Sequence, residues 1–138
     1  MDYKSILAVI GAAISYLFGG WTIGLQTLLV FVVIDYLTGV AVAAKDGRLS
    51  SYIGMKGIGR KVIIFMFVSM GHMADLNLSD GQVHLFRDGV TTFFLVNEGI
   101  SITENAGRLG VPIPPTIQRA IELLKKTDSN KKEESKNG

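Results

Sequence analysis

Apolar residues run almost without interruption from Ile6 to Ala44, and the one charge in these 39 residues is Asp35. A stretch that long exceeds a single membrane span of about 20 residues and suffices for two. Gly19 and Gly20, followed by Trp21, divide it. Paired glycines punctuate a helix, and Trp favours the membrane–water interface. The pattern predicts helices over about 5–18 and 22–44, the first short enough to tilt or to thin the bilayer. Residues 45–61 carry five basic residues, one acid and four glycines, and read as a loop. A third apolar run predicts a helix over about 61–78. The polar turn "SDGQVHLFRDG" follows, then a fourth and least hydrophobic helix over about 90–107. "VPIPP" stops that helix, since proline lacks a donor and disfavours helix at the residue before it. Beyond it, Ile117, Ala120, Ile121 and Leu124 recur at helical spacing, with Thr116 as the expected N-cap.

Lys4 ahead of apolar Ile6–Phe18 has the first two parts of a secretory signal. The chain then continues into a second apolar run rather than a polar mature start, so a retained helix is expected. The expected fold is all-α: a multi-pass membrane bundle of four transmembrane helices in residues 1–107. A juxtamembrane amphipathic helix (108–126) and a disordered charged tail (127–138) complete it. A three-span arrangement, with the first helix interfacial, is the alternative.

Charge placement gives direction to this bundle. Of 14 Lys and Arg residues, thirteen lie at Lys4, in the 45–61 loop or from Arg108 onward, and Arg87 is the exception. The positive-inside rule then predicts both termini in the cytoplasm. A net charge of +2 is too small to point to nucleic acid. The absence of cysteine excludes disulfides, thiolate metal sites and cysteine nucleophiles. The glycines of residues 45–61 do not form a phosphate-binding GxxxxGK[ST]. His72 and His84 without further ligands predict no metal site, and no nucleophile motif predicts catalysis.

The candidate functional residues are polar groups inside apolar helices. Counted from the predicted helix ends, Asp35, Glu98 and His72 fall near the bilayer midplane, with Asp75 about a turn further out. A central aspartate costs about 2.5–3.5 kcal/mol on insertion scales, so each of these should face protein or water. Thr91, Glu98, Ser101 and Asn105 form a polar stripe on the fourth helix. Small residues recur at four-residue spacing: Gly11, Ser15 and Gly19; Gly20 and Gly24; Gly39 and Ala43. Such spacing allows close helix approach and suggests self-association. Asp35 is then either structural glue between helices or part of an assembly or conduction face. The helix after "VPIPP" either lies on the inner leaflet with its lysines near anionic lipid or packs on the bundle.

"DYLTGV" (Asp35 to Val40), "GRLSS" (Gly47 to Ser51), GxxRK (Gly57 to Lys61) and "HMAD" (His72 to Asp75) occur in this order. Over about residues 25–110 the chain resembles the phage lysis and toxin-secretion holins of Gram-positive bacteria and their phages. The resemblance implies a protein that accumulates in the host cytoplasmic membrane, oligomerises with itself, and opens timed lesions. An endolysin, or a stored toxin, then escapes without needing direct contact. It implies no enzyme activity and no cofactor. In that setting Asp35, Glu98 and His72 would be buried before triggering and would line water afterwards, along with Asp75, Ser101 and Asn105. Two other classes remain. A small ion or proton pathway would give steady conductance, and a membrane adaptor would recruit a cytoplasmic partner through residues 113–138.

Overall fold

The computed structural model describes residues 1–137, and among them every regular element is an α-helix: α1 (Tyr3–Phe18), α2 (Ile23–Lys45), α3 (Ser51–Ser79), α4 (Leu85–Arg108) and α5 (Pro115–Asn137). Local chemistry sets the boundaries. Asp2 caps α1 by accepting from the Ser5 N–H, and this bond holds its carboxyl below the usual carboxylate range. Thr22 caps α2 and Ser50 caps α3 in the same manner. Gly19 ends α1 at φ 76°, a left-handed conformation that glycine adopts freely, and its N–H returns to the Ser15 carbonyl.

The α1 and α2 boundaries match the pattern-based expectation within a residue or two. The expectation for α3 needs correction. Its helix begins at Ser51, so most of the expected 45–61 loop is helical. Glycine's low helix propensity argued for a loop. Here the glycines serve packing instead. Tyr36 of α2 donates to the Gly54 carbonyl at 3.4 Å, and a Cβ on Gly57 would stand 3.2 Å from the Tyr36 ring. Likewise α4 begins at Leu85 rather than near residue 90, which places Arg87 in its first turn. The helix at 115 starts on Pro115, a favoured first helical residue, so Thr116 is inside the first turn and is not the cap. It continues through residues 127–137, where a disordered tail was expected.

The least apolar of the first four helices is the central one: α4 packs mainly against α2 and α3, while α1 leans on α3. The core is Leu25, Leu28, Val32, Ile64 and Val68, with Phe18, Phe65, Val90 and Phe94 packed around it. Large apolar side chains also cover the outside. Val30, Val33 and Leu37 on α2 and Val62, Met66 and Met70 on α3 are exposed, and α1 has no buried residue. Helices α2 and α3 are each long and apolar enough to cross a membrane; α1 is apolar but shorter. With lipid outside, apolar burial gives little preference for protein over bilayer, and close packing and polar contacts hold such helices together.

Candidate functional site

Each of the three packed helices turns one stripe inward. On α2 it runs Leu25, Leu28, Val32, Asp35, Val42, and on α3 Ile64, Val68, Gly71, His72, Asp75. On α4 it includes Arg87, Thr91 and Glu98. The intervals of three, four and seven residues are those of one helix face. Asp35 therefore points to the bundle interior, where the apolar pattern around it required a partner.

That partner is Lys61, which the loop assignment had placed in the cytoplasm. Its ammonium donates to Asp35 Oδ2 and to Glu98 Oε2, joining α2, α3 and α4 at one point. The side chains of Lys61, Asp35 and Glu98 are 16 %, 9 % and 6 % exposed, so solvent screens the cluster little. Asn105 completes it. Its Nδ2 donates to Asp35 Oδ1 at 3.1 Å and to Thr38 Oγ1 at 3.0 Å. Gly39 lies beside this contact: a Cβ there would sit 3.7 Å from Asn105 Nδ2, an ordinary van der Waals distance. Two carboxylates and one ammonium leave one formal negative charge. A low-dielectric interior makes such a cluster strong while paired and costly when a member is lost.

A second polar cluster lies elsewhere. Because α3 starts at Ser51, Lys61 is ten residues along it, about 15 Å, and His72 is about 16 Å further. His72 therefore does not share a layer with Asp35 and Glu98, as depth counted from residue 61 had implied, and Asp75 lies further from them than the one turn expected. They occupy the opposite end of the bundle. There the Asp75 carboxylate accepts from the Phe86 and Arg87 N–H groups, both at 2.9 Å, and caps α4 from a neighbouring helix. His84, at the cap position itself, makes no side-chain cap bond. Arg87 is buried and reaches the Phe18 carbonyl at 3.2 Å, tying the end of α1 to α4. His72 is buried with its Nδ1 unpartnered and lies against Gly19, where any Cβ would fall within 2.8 Å of the ring.

The remaining expected residues divide. Ser101 joins Asp35 and Asn105 along an open groove at the α2–α3–α4 junction. Ala43 is buried, and a Cβ on Gly24 would stand 3.5 Å from the Thr91 methyl, so both serve packing within the chain. A Cβ on Gly11 or Gly20 would meet nothing within 4 Å among the described residues, and Gly11 and Ser15 are exposed. Sequence reasoning missed Lys61 and Arg87. The signal for Lys61 was its spacing of three, four and seven residues from Ile64, Phe65 and Val68. At the end of the bundle expected to face the cytoplasm, Lys45 donates to the Arg108 carbonyl at 2.7 Å, and an ion pair joins Lys125 of α5 to Glu104 of α4.

An apolar-surfaced helix bundle with a charge cluster inside defines a class, the small membrane bundles with polar interiors. The comparisons with known proteins narrow it. The model of the bacteriophage holin family matches residues 12–126, and the chain belongs to that family. It is not an enzyme family, and the apolar helices fit its membrane character. A probable holin of Bacillus phage phi105 is 34 % identical over 119 residues, covering 86 % of each chain. An uncharacterised protein of Halalkalibacterium halodurans is 46 % identical over 125 residues, covering 88 % of this chain and 93 % of its own. A 14.9 kDa protein from the nagH 3′ region of Clostridium perfringens is 43 % identical over 115 residues, covering 83 % and 86 %. No solved structure matches the chain.

Proposed function

We propose that this chain is a holin that inserts in a bacterial cytoplasmic membrane, associates with copies of itself, and opens timed lesions through which an endolysin or toxin leaves the cell. One observation carries the reading: in a holin-family chain, the buried Asp35–Lys61–Glu98 cluster lies inside a bundle whose outer surface is apolar. Burial keeps the cluster closed in the resting protein. Parting of α2 and α4 from α3 would expose two carboxylates, an ammonium, Ser101 and Asn105 to a water path. Four spans with both termini cytoplasmic suit the basic residues that flank the inner ends of the helices. In this arrangement α1, at 16 residues or about 24 Å, is the short span. The exposed small residues Gly11 and Ser15, with half-buried Gly20, are candidates for contact between copies.

The test is induction in bacteria of this chain alone and together with a peptidoglycan hydrolase that lacks an export signal. The proposal expects a delayed, abrupt loss of viability with the chain alone, and lysis when the hydrolase is present. Continued growth with the hydrolase retained inside, at verified membrane abundance, would remove it.

A further inference from the structure

The open groove beside the charge cluster has a second wall that the lesion-forming role does not use. It encloses about 410 Å³ and runs from Asp35 toward the start of α3. Tyr52, Lys56 and Arg60, spaced four residues apart on one face of α3, line one side, and Arg48 of the α2–α3 loop stands at the mouth. Gly39 and Gly57 also line it. The acids nearby are already engaged: Asp35 with Lys61, and Asp46 with Arg48 at 2.9 Å. Lys56 and Arg60, in contrast, make no ion pair and no side-chain hydrogen bond among the described residues.

In water two exposed cations need no partner. On a membrane-spanning helix they do. Lys56 is five residues and Arg60 nine residues past Ser51, about 8 and 14 Å along α3. An unpaired cation at that depth is costly unless it finds water, a carbonyl or an anion. The phosphates of the inner leaflet are at that end of the bundle, and basic clusters there favour anionic lipid.

We propose that the groove of Arg48, Lys56 and Arg60 binds the headgroup of an anionic phospholipid from the inner leaflet, its phosphate held between Lys56 and Arg60 and its polar head seated between Gly39 and Gly57. The site rests on the membrane reading above. A bound lipid here would bridge α2 and α3 beside the charge cluster, so the lipid would favour the closed bundle.

The test reconstitutes the full chain in nanodiscs of mixed phosphatidylglycerol and phosphatidylcholine, then counts retained lipids by native mass spectrometry. The expected result is retained phosphatidylglycerol in preference to phosphatidylcholine. Each basic residue near an anionic leaflet contributes about fivefold, so Lys56→Gln with Arg60→Gln should lower the preference by roughly twenty-fivefold. Lys56→Arg with Arg60→Lys should keep it, with helicity unchanged in every variant. Lys131→Gln with Lys132→Gln removes the same charge from α5 and should leave the preference intact. Equal loss in the α5 variant would mean general attraction to the leaflet and would overturn the site. No preference in the wild type, or displacement of the lipid by excess inorganic phosphate, would overturn it also. Carbonate extraction of the same cells separates the two readings: a chain washed off the membrane refutes the membrane assignment, whereas a retained chain without lipid preference refutes only the site.

Discussion

Removing Lys61 is the sharpest perturbation of the bundle. Lys61→Met keeps the length of the side chain and deletes its charge, leaving Asp35 and Glu98 facing each other without a cation. The three side chains are 16 %, 9 % and 6 % exposed, so the buried-pair figure applies rather than the 0–1 kcal/mol of a surface pair. Breaking a buried pair by removing one partner costs about 3–5 kcal/mol. Asp35→Asn is milder. It leaves Lys61 paired with Glu98, and the amide still offers an oxygen to the ammonium, so about 1–2 kcal/mol is expected. The combination Lys61→Met, Asp35→Asn and Glu98→Gln removes every charge together and should return to within about 1 kcal/mol of wild type. Reversible unfolding in mixed micelles, followed by helicity, reads all three. A Lys61→Met loss below about 1 kcal/mol would refute the reasoning, because it would return Lys61 to an aqueous loop and leave Asp35 unpaired.

The other predictions concern contacts away from the cluster. Asp75→Ala strips two backbone N–H partners from the first turn of α4 and should cost about 1–2 kcal/mol in the same unfolding assay, with Asp75→Asn recovering part of it. Gly71→Ala places a Cβ 3.0 Å from the Arg87 and Phe86 backbone, so α3 and α4 must separate; about 1–3 kcal/mol should be lost, more than for Gly59→Ala, which meets open space. Gly11→Leu starts from an exposed position where a Cβ would meet nothing within 4 Å, and should leave monomer stability within about 0.5 kcal/mol of wild type. If the α1 small-residue stripe joins copies, the same change should reduce cross-linked oligomers in membranes.

The parts legible in the sequence were those where one physical signal acts alone. The Gly19–Gly20 break and the α2 span follow from apolar length and glycine punctuation. The polar stripe on α4 followed from periodicity; from it Asn105 donates to Asp35, and Glu98 shares the Lys61 ammonium with Asp35. The errors came where a local signal competed with packing. Gly54, Gly57 and Gly59 lower helix propensity, yet two of them lie against Tyr36, so tertiary contact overrode propensity and α3 began ten residues early. That one shift moved Lys61 from the aqueous loop into the interior. It also separated His72 from the layer of Asp35 and carried Asp75 beyond the one turn expected. Arg87 was misplaced for a related reason: its apparent loop is the first turn of α4, capped by Asp75 from α3, and no local sequence signal marks a cap supplied by another helix.

In the proposed mechanism a closed bundle, held by the Asp35–Lys61–Glu98 cluster, opens abruptly to release cytoplasmic protein. The most direct test is the time course of release of a cytoplasmic reporter enzyme from single cells induced for the wild type or for Asp35→Asn, at matched membrane abundance. Full retention through a delay, then sudden release, is expected, with the delay shortened in Asp35→Asn. Gradual leakage from the start of synthesis, no release from cells whose membranes contain the protein, or identical delays for the two chains would rule the mechanism out.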